Sequence, residues 1–133
     1  MSWQAYVDQN LMCPLDSEGT TLSSAALIGH DGGVWAQSPS FPAITAEESS
    51  ALMTMLSTGT SETGSFTIGG VKYFVLMSED PENKIRGKCQ GGGCAINKTG
   101  QTLVVGIWAE PIQPSSCNRV VEALGEYLLS VNY

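Results

Sequence analysis

Four short, glycine-bearing turns constrain this chain more than any other feature. His30-Asp31-Gly32-Gly33, Gly69-Gly70, Gly91-Gly92-Gly93 and Lys98-Thr99-Gly100 each separate two runs with strand character. Asp-Gly and Gly-Gly supply the positive backbone torsions that hairpin turns need. Strands joined by so few residues must run antiparallel, because parallel neighbours need a long crossover. The flanking runs are SSAALIG and VWAQS, SFTI and VKYFVLMS, KIRGK, CAINK and TLVVGIWA.

Three segments change to helical periodicity. From Ser2 to about Met12, Trp3, Tyr6, Val7, Asn10 and Leu11 fall on one face, with Ser2 as N-cap and Pro14 as the stop. Thr45 and Glu48 have capping-box spacing ahead of the apolar stripe Leu52, Met53 and Leu56. A loop over 58–64 follows. Pro111 and Pro114 then break the chain before a last helix. Ser115 or Ser116 is expected to cap it, and Cys117, Val120, Val121, Leu124, Tyr127, Leu128 and Val131 keep helical spacing. The order is helix, two strands, helix, about five strands, helix. This predicts an α+β fold on a central antiparallel sheet of about six to seven strands, as a single domain over residues 1–133.

Charge narrows the function. The formal net charge is −7 with only six Lys and Arg, so a general nucleic-acid or anionic-membrane binder is not expected. Four of those cations, Lys84, Arg86, Lys88 and Lys98, nevertheless lie close together in sequence. Lys84, Arg86 and Lys88 alternate along one strand and therefore form a row on one face. Such a row is either a solvated face or faces something anionic. No apolar run approaches the roughly 20 residues that span a bilayer. No basic segment followed by an apolar stretch opens the chain, so a cytosolic protein with reduced cysteines is expected.

Cys89 and Cys94 flank a Gln-Gly-Gly-Gly loop. A flexible loop there could let the thiols bridge, which leaves a small redox or metal-binding protein as the rival reading. Their spacing is not that of a thioredoxin-like pair, and the four cysteines with His30 match no common structural zinc pattern. The glycine run lacks the Gly-Lys-Ser/Thr of a phosphate-binding loop. His30 beside Asp31 has turn chemistry and no nucleophile near it in sequence, so neither an enzyme nor a cofactor or metal is expected.

MSWQAYVD, GHDGGVWAQS, IRGK, KTGQTLVVGIW and CNRVVEALGEYL, in this order over essentially the whole chain, resemble the profilin family, closest to its plant and green-algal type. The resemblance implies terminal helices packed together on one face of the sheet, with the remaining helix on the other. It implies binding of monomeric actin, of proline-rich proteins such as formin-like assembly factors and, weakly, of phosphoinositides, by a mostly monomeric cytoplasmic protein.

Carried over by motif, the proline-binding groove comprises Trp3, Tyr6, Trp35, Tyr127, Leu128 and Tyr133. Tyr127 stands where animal members carry histidine. Stacked rings with N–H and O–H donors suit a polyproline II helix, whose carbonyls are free to accept. The actin-binding positions implied are Lys72, Lys84, Arg86, Lys88, Asn118 and Arg119. Cys13 and Cys117 match a pair that can form a disulfide in plant relatives, although thiols are expected in the cytosol. Gly125 is expected to let the N-terminal helix approach closely.

Overall fold

The computed structural model describes residues 3–58, 64–76, 83–110 and 112–133. Chain order matches the order read from periodicity. An α-helical turn, α1 (Trp3–Tyr6), runs into a π-helical turn, Val7–Leu11. Strands β1 (Ser24–Gly29) and β2 (Val34–Gln37) precede helix α2 (Ala46–Thr58). Then come β3 (Ser65–Ile68), β4 (Val71–Leu76), β5 (Lys84–Cys89), β6 (Gly92–Lys98) and β7 (Thr102–Ala109), and helix α3 (Pro114–Ser130). Ser2 as a cap, residues 59–63 of the expected loop, the end of VKYFVLMS and Pro111 lie outside the described residues.

All seven strands join one antiparallel sheet in the order β2-β1-β7-β6-β5-β4-β3. Each sequential hairpin is adjacent except where β1 pairs with β7 along its whole length, Ser24 opposite Ile107 to Gly29 opposite Thr102. That long-range pairing welds the first hairpin onto the five-strand meander. β1, β6 and β7 are buried almost throughout, because helices cover both faces at the sheet centre. β4 lies farther out and buries only Tyr73 fully.

The sheet carries a core on each face. On one face, Leu52 and Leu56 of α2 pack with Ile28, Phe66, Ile68, Tyr73, Ile85, Ile96 and Leu103, among others. On the opposite face, Val7 and Leu11 of the π turn join Leu27, Val104, Trp108, Cys117, Val121, Leu124 and Leu128. The two terminal helices therefore share one face and α2 takes the other, as expected.

Local chemistry explains the helix ends. The Thr45–Glu48 box closes reciprocally: the Glu48 N–H donates to the Thr45 hydroxyl at 3.1 Å, and the Thr45 N–H donates to the Glu48 carboxylate at 2.9 Å. Glu48 also accepts the N–H groups of Gly69 and Gly70, each at 3.0 Å, so the α2 cap holds the β3–β4 turn as well. Burial alone would raise the Glu48 pKa. Hydrogen bonds from Thr45, Gly70, Thr67 and Gly69 outweigh it and hold the carboxyl below its ordinary value.

Helix α3 corrects the expected cap. Gln113 is its N-cap and makes no side-chain cap bond, and Pro114 occupies the first turn instead of preceding the helix. Proline fits there because the first N–H of a helix has no partner to lose and its φ is already helical. Asn10 corrects the expected N-terminal face. It is exposed while Val7 and Leu11 are buried, because the wider π turn, closed by the Met12 N–H on the Val7 carbonyl at 2.9 Å, shifts the angular step between side chains.

Candidate functional site

Five rings from four separated segments meet at the terminal helices. Trp3 is the hub. Its ring lies 4.8 Å from Trp35 on β2, 4.9 Å from Tyr133 past the end of α3, and 5.6 Å from Tyr6 one turn along α1. Tyr6 lies 5.9 Å from Tyr127 of α3. The neighbouring Tyr127 phenol is the main cause that raises the Tyr6 pKa above its ordinary value. Trp3, Tyr6 and Trp35 are half-buried, whereas Tyr127 and Tyr133 are 48% and 39% exposed. Tilted and edge-on contacts at these separations favour the rings mutually while leaving faces open.

Backbone anchors hold this surface. Gln4 donates to the Gln37 carbonyl at 3.0 Å, tying α1 to β2. The oxygen of Tyr133 accepts from the Thr99 hydroxyl at 2.7 Å and from the Gln101 N–H, so the β6–β7 turn clamps the tail. A Cβ on Gly29 would meet the Trp35 indole nitrogen at 2.7 Å, so glycine there lets the ring approach β1 closely. Leu128 corrects the expected groove. It is 0% exposed and packs in the core under the rings, because α3 turns it with Leu124 and Val121 to the sheet.

Gly125 also differs from expectation. A Cβ there would collide with the side chain of Asn97 on β6, not with the N-terminal helix. The close approach is between α3 and the sheet, and Asn97 is buried in it.

The basic row lies on the other flank of α3. Pairing of Arg86 with Ala95 and Lys88 with Gly93 puts Lys84, Arg86 and Lys88 on the α3 face of the sheet. The anion facing the row belongs to this chain: Glu122 of α3 takes Arg86 at 3.0 and 3.2 Å and Lys84 at 3.3 Å. Lys88 remains exposed. Register on β4 adds a component that sequence reasoning missed. Phe74 sits opposite Lys88, and Leu76 opposite Arg86, on the same face. Phe74 is 59% exposed and the Lys72 ammonium stands 5.3 Å from its ring centre. The signal was present in the parity of Lys72, Phe74 and Leu76 along KYFVL.

Asn118, four residues before Glu122, is half-buried on α3. Arg119 is apart from the row. It faces the segment after the π turn, donates to the Leu15 carbonyl at 3.5 Å and lines a cleft of about 380 Å³ with Asn10, Cys13, Pro14 and Tyr127.

All four cysteines are free thiols. Cys89 packs, partly buried, against the same core as Cys94. Cys94 is buried and its pKa is pushed well above the ordinary value by burial, which suppresses the thiolate that redox chemistry needs. Cys117 is raised to about 12, again by burial, and its thiol points at the Gly106 carbonyl in the core. Cys13 opens instead onto the cleft and donates to the Asn10 carbonyl. Among the described residues no three His, Cys, Asp or Glu side chains gather to hold a metal, and no helix is long and apolar enough to cross a membrane.

The profilin family model matches residues 1–133. This chain belongs to the profilin family. The crystal structure of Acanthamoeba castellanii profilin II is 32% identical, with a TM-score of 0.85, over 99% of this chain and 100% of that one. Mouse profilin IIa, solved in complex with a double repeat from the FH1 domain of mDia1, is 24% identical with a TM-score of 0.71, each chain covered completely. A LokiProfilin2 complex with rabbit actin matches at 18% identity and a TM-score of 0.65, over 83% of this chain and 86% of that one. The last two likenesses concern the profilin fold.

Proposed function

We propose that this profilin binds monomeric actin on its β4–β5 face and proline-rich segments on its terminal-helix face. The observation that carries the reading is the ring cluster around Trp3, open on one side and rigidly backed on the other. A polyproline II helix is already stiff and offers flat rings and free carbonyls, so it meets this surface with little entropy to lose. The exposed phenols of Tyr127 and Tyr133 supply donors. The mouse relative solved with an FH1 repeat supports the ligand class, and the LokiProfilin2 complex supports actin.

On the other face, Lys72, Lys88 and Phe74 present charge beside exposed apolar area, with Lys84, Arg86 and Asn118 behind them. Such a mixture fits an acidic protein partner, with steering by charge and affinity by the ring. The chain acts as a monomeric, cytosolic, single-domain adaptor with no chemistry of its own. The plant and green-algal subtype rests on the sequence blocks and on Tyr127. Phosphoinositide contact is weak and salt-sensitive, given six cations in a protein of net charge −7.

Tryptophan fluorescence under decaproline titration tests the first face, because two of the three tryptophans belong to the cluster. Saturable change supports the reading, and no change at millimolar peptide defeats it. Co-sedimentation with actin under polymerising conditions tests the second. Retention of actin in the supernatant by wild type, reduced by Lys88→Glu, is the expected result.

A further inference from the structure

Trp3 is flanked by Trp35 and Tyr133, and the β6–β7 turn, which contributes no ring, is bonded to the segments that carry both. On one side the Gln101 carbonyl accepts the His30 N–H at 3.3 Å, and the Thr102 hydroxyl donates to the Ile28 carbonyl at 2.8 Å. The turn thus holds the hairpin whose second strand bears Trp35. On the other side it holds the tail. Thr99 is buried, and its hydroxyl oxygen lies 2.7 Å from the Tyr133 backbone oxygen and 3.2 Å from the Thr102 carbonyl. That carbonyl already takes the Thr99 N–H at 2.8 Å, so the single hydroxyl hydrogen goes to Tyr133. The chain reaches this clamp through a particular helix ending. The Asn132 N–H donates to the Leu129 carbonyl at 3.2 Å and the Tyr133 N–H to the Leu128 carbonyl at 2.8 Å, with Asn132 at a φ of 69°. This is the left-handed ending that glycine usually supplies and that asparagine tolerates. It delivers the Tyr133 ring to Trp3 nearly edge-on, at 82°.

We propose that Thr99 and Asn132 are positioning residues of the proline-binding groove, which fix Tyr133 against Trp3 before a ligand arrives. The inference rests on the proline-binding reading above and adds to its rings two residues that are not aromatic and act through one that is. Tyr133 is 39% exposed and lies past the end of α3, so its ring has little around it to hold an orientation. A ring left loose there must be ordered when the peptide binds, and that ordering lowers affinity. The Thr99 bond and the left-handed ending at Asn132 do the ordering in advance. Their effect on the ligand therefore passes through Tyr133, which separates it from a general effect on the fold.

The test measures decaproline affinity of the whole protein by tryptophan fluorescence. Thr99→Val keeps the shape and removes the hydroxyl, and it is expected to weaken binding about three- to tenfold, with Thr99→Ser restoring it. A double-mutant cycle supplies the readout that a merely structural role would not give. Tyr133→Ala alone and Tyr133→Ala with Thr99→Val should bind equally, within about twofold, because Thr99 has nothing left to position. Losses that multiply instead place the role of Thr99 in the fold and overturn the inference. The second pair of variants is exposed and does not depend on Thr99→Val folding. Asn132→Gly should keep the affinity, whereas Asn132→Val, which resists the left-handed region, should lose about threefold. Equal affinity of Thr99→Val and wild type, or of Asn132→Gly and Asn132→Val, overturns the inference and leaves the groove intact. If wild type binds no decaproline, the groove reading itself fails and the positioning roles fall with it.

Discussion

The ring cluster and the basic row lie on opposite flanks of α3, which lends Tyr127 to the first and Glu122 to the second, and they are satisfied in different ways. The rings satisfy one another only in part. Trp3 touches three neighbours, yet the outer faces of Tyr127 and Tyr133 stay open. The row is largely satisfied from within, because Glu122 takes both Lys84 and Arg86. An apolar surface that remains open calls for a ligand. A charged surface already paired calls for one only at the cations that have no acidic partner among the described residues, Lys88 of the row and Lys72 beside it on β4, and at the bare ring of Phe74. The difference teaches that charge pattern along a strand is a weaker guide to binding than exposed aromatic area backed by fixed backbone.

Trp3→Ala attacks the comparison where the expected effect is largest. Removing the hub of three ring contacts should weaken proline-peptide affinity by at least about thirtyfold, roughly 2 kcal/mol, by isothermal titration. It should leave actin binding within about twofold. A loss on both faces would merge the two regions into one.

Gly125→Ala tests their common mounting. The added methyl meets Asn97, and denaturant unfolding should show a loss of about 1–3 kcal/mol. Pairing it with Asn97→Ser should recover part of that loss. An unchanged midpoint would mean that α3 does not sit where both flanks require.

Glu122→Gln is milder. It releases two partly exposed cations, so unfolding free energy should fall by up to about 1 kcal/mol, with the difference shrinking in high salt. Proline binding should not change.

The smallest effect belongs to Glu48, which pins the hairpin carrying Lys72 and Phe74. Its folded pKa is lowered, so its contribution is present above the ordinary value of 4.5 and is lost as pH falls through the depressed folded value. Wild type should therefore destabilise on acidification more steeply than Glu48→Gln below that pH. Parallel curves would show that the carboxylate bonds add nothing.

Much of this architecture was legible in sequence, for stated reasons. The Thr45–Glu48 box, the Gly69-Gly70 turn and the parity of Lys84, Arg86 and Lys88 are local rules, and each appears in the fold. What local rules miss is long-range. Nothing in SSAALIG says that it pairs with TLVVGIWA, and only that pairing brings β2, and so Trp35, beside the meander. Gly125 advertised a close approach without naming Asn97 as the neighbour. Glu122 could not be assigned to the row because helix rotation against the sheet sets that contact. Leu128 and Tyr127 are adjacent and both apolar enough to stack on proline. Rotation about α3 buries one and exposes the other. Gln113 in place of a serine cap reflects proline geometry overriding side-chain preference.

The clamp on Tyr133 has a practical consequence. With its backbone oxygen held by Thr99 and Gln101, and its ring 4.9 Å from Trp3, anything spliced after this residue starts at the rim of the cluster. A flexible tether ending in prolines would therefore fold back as a built-in competitor at an effective concentration of about millimolar. Such a fusion would mask its own aromatic face and open only to ligands stronger than its leash, turning the protein into a calibrated threshold sensor.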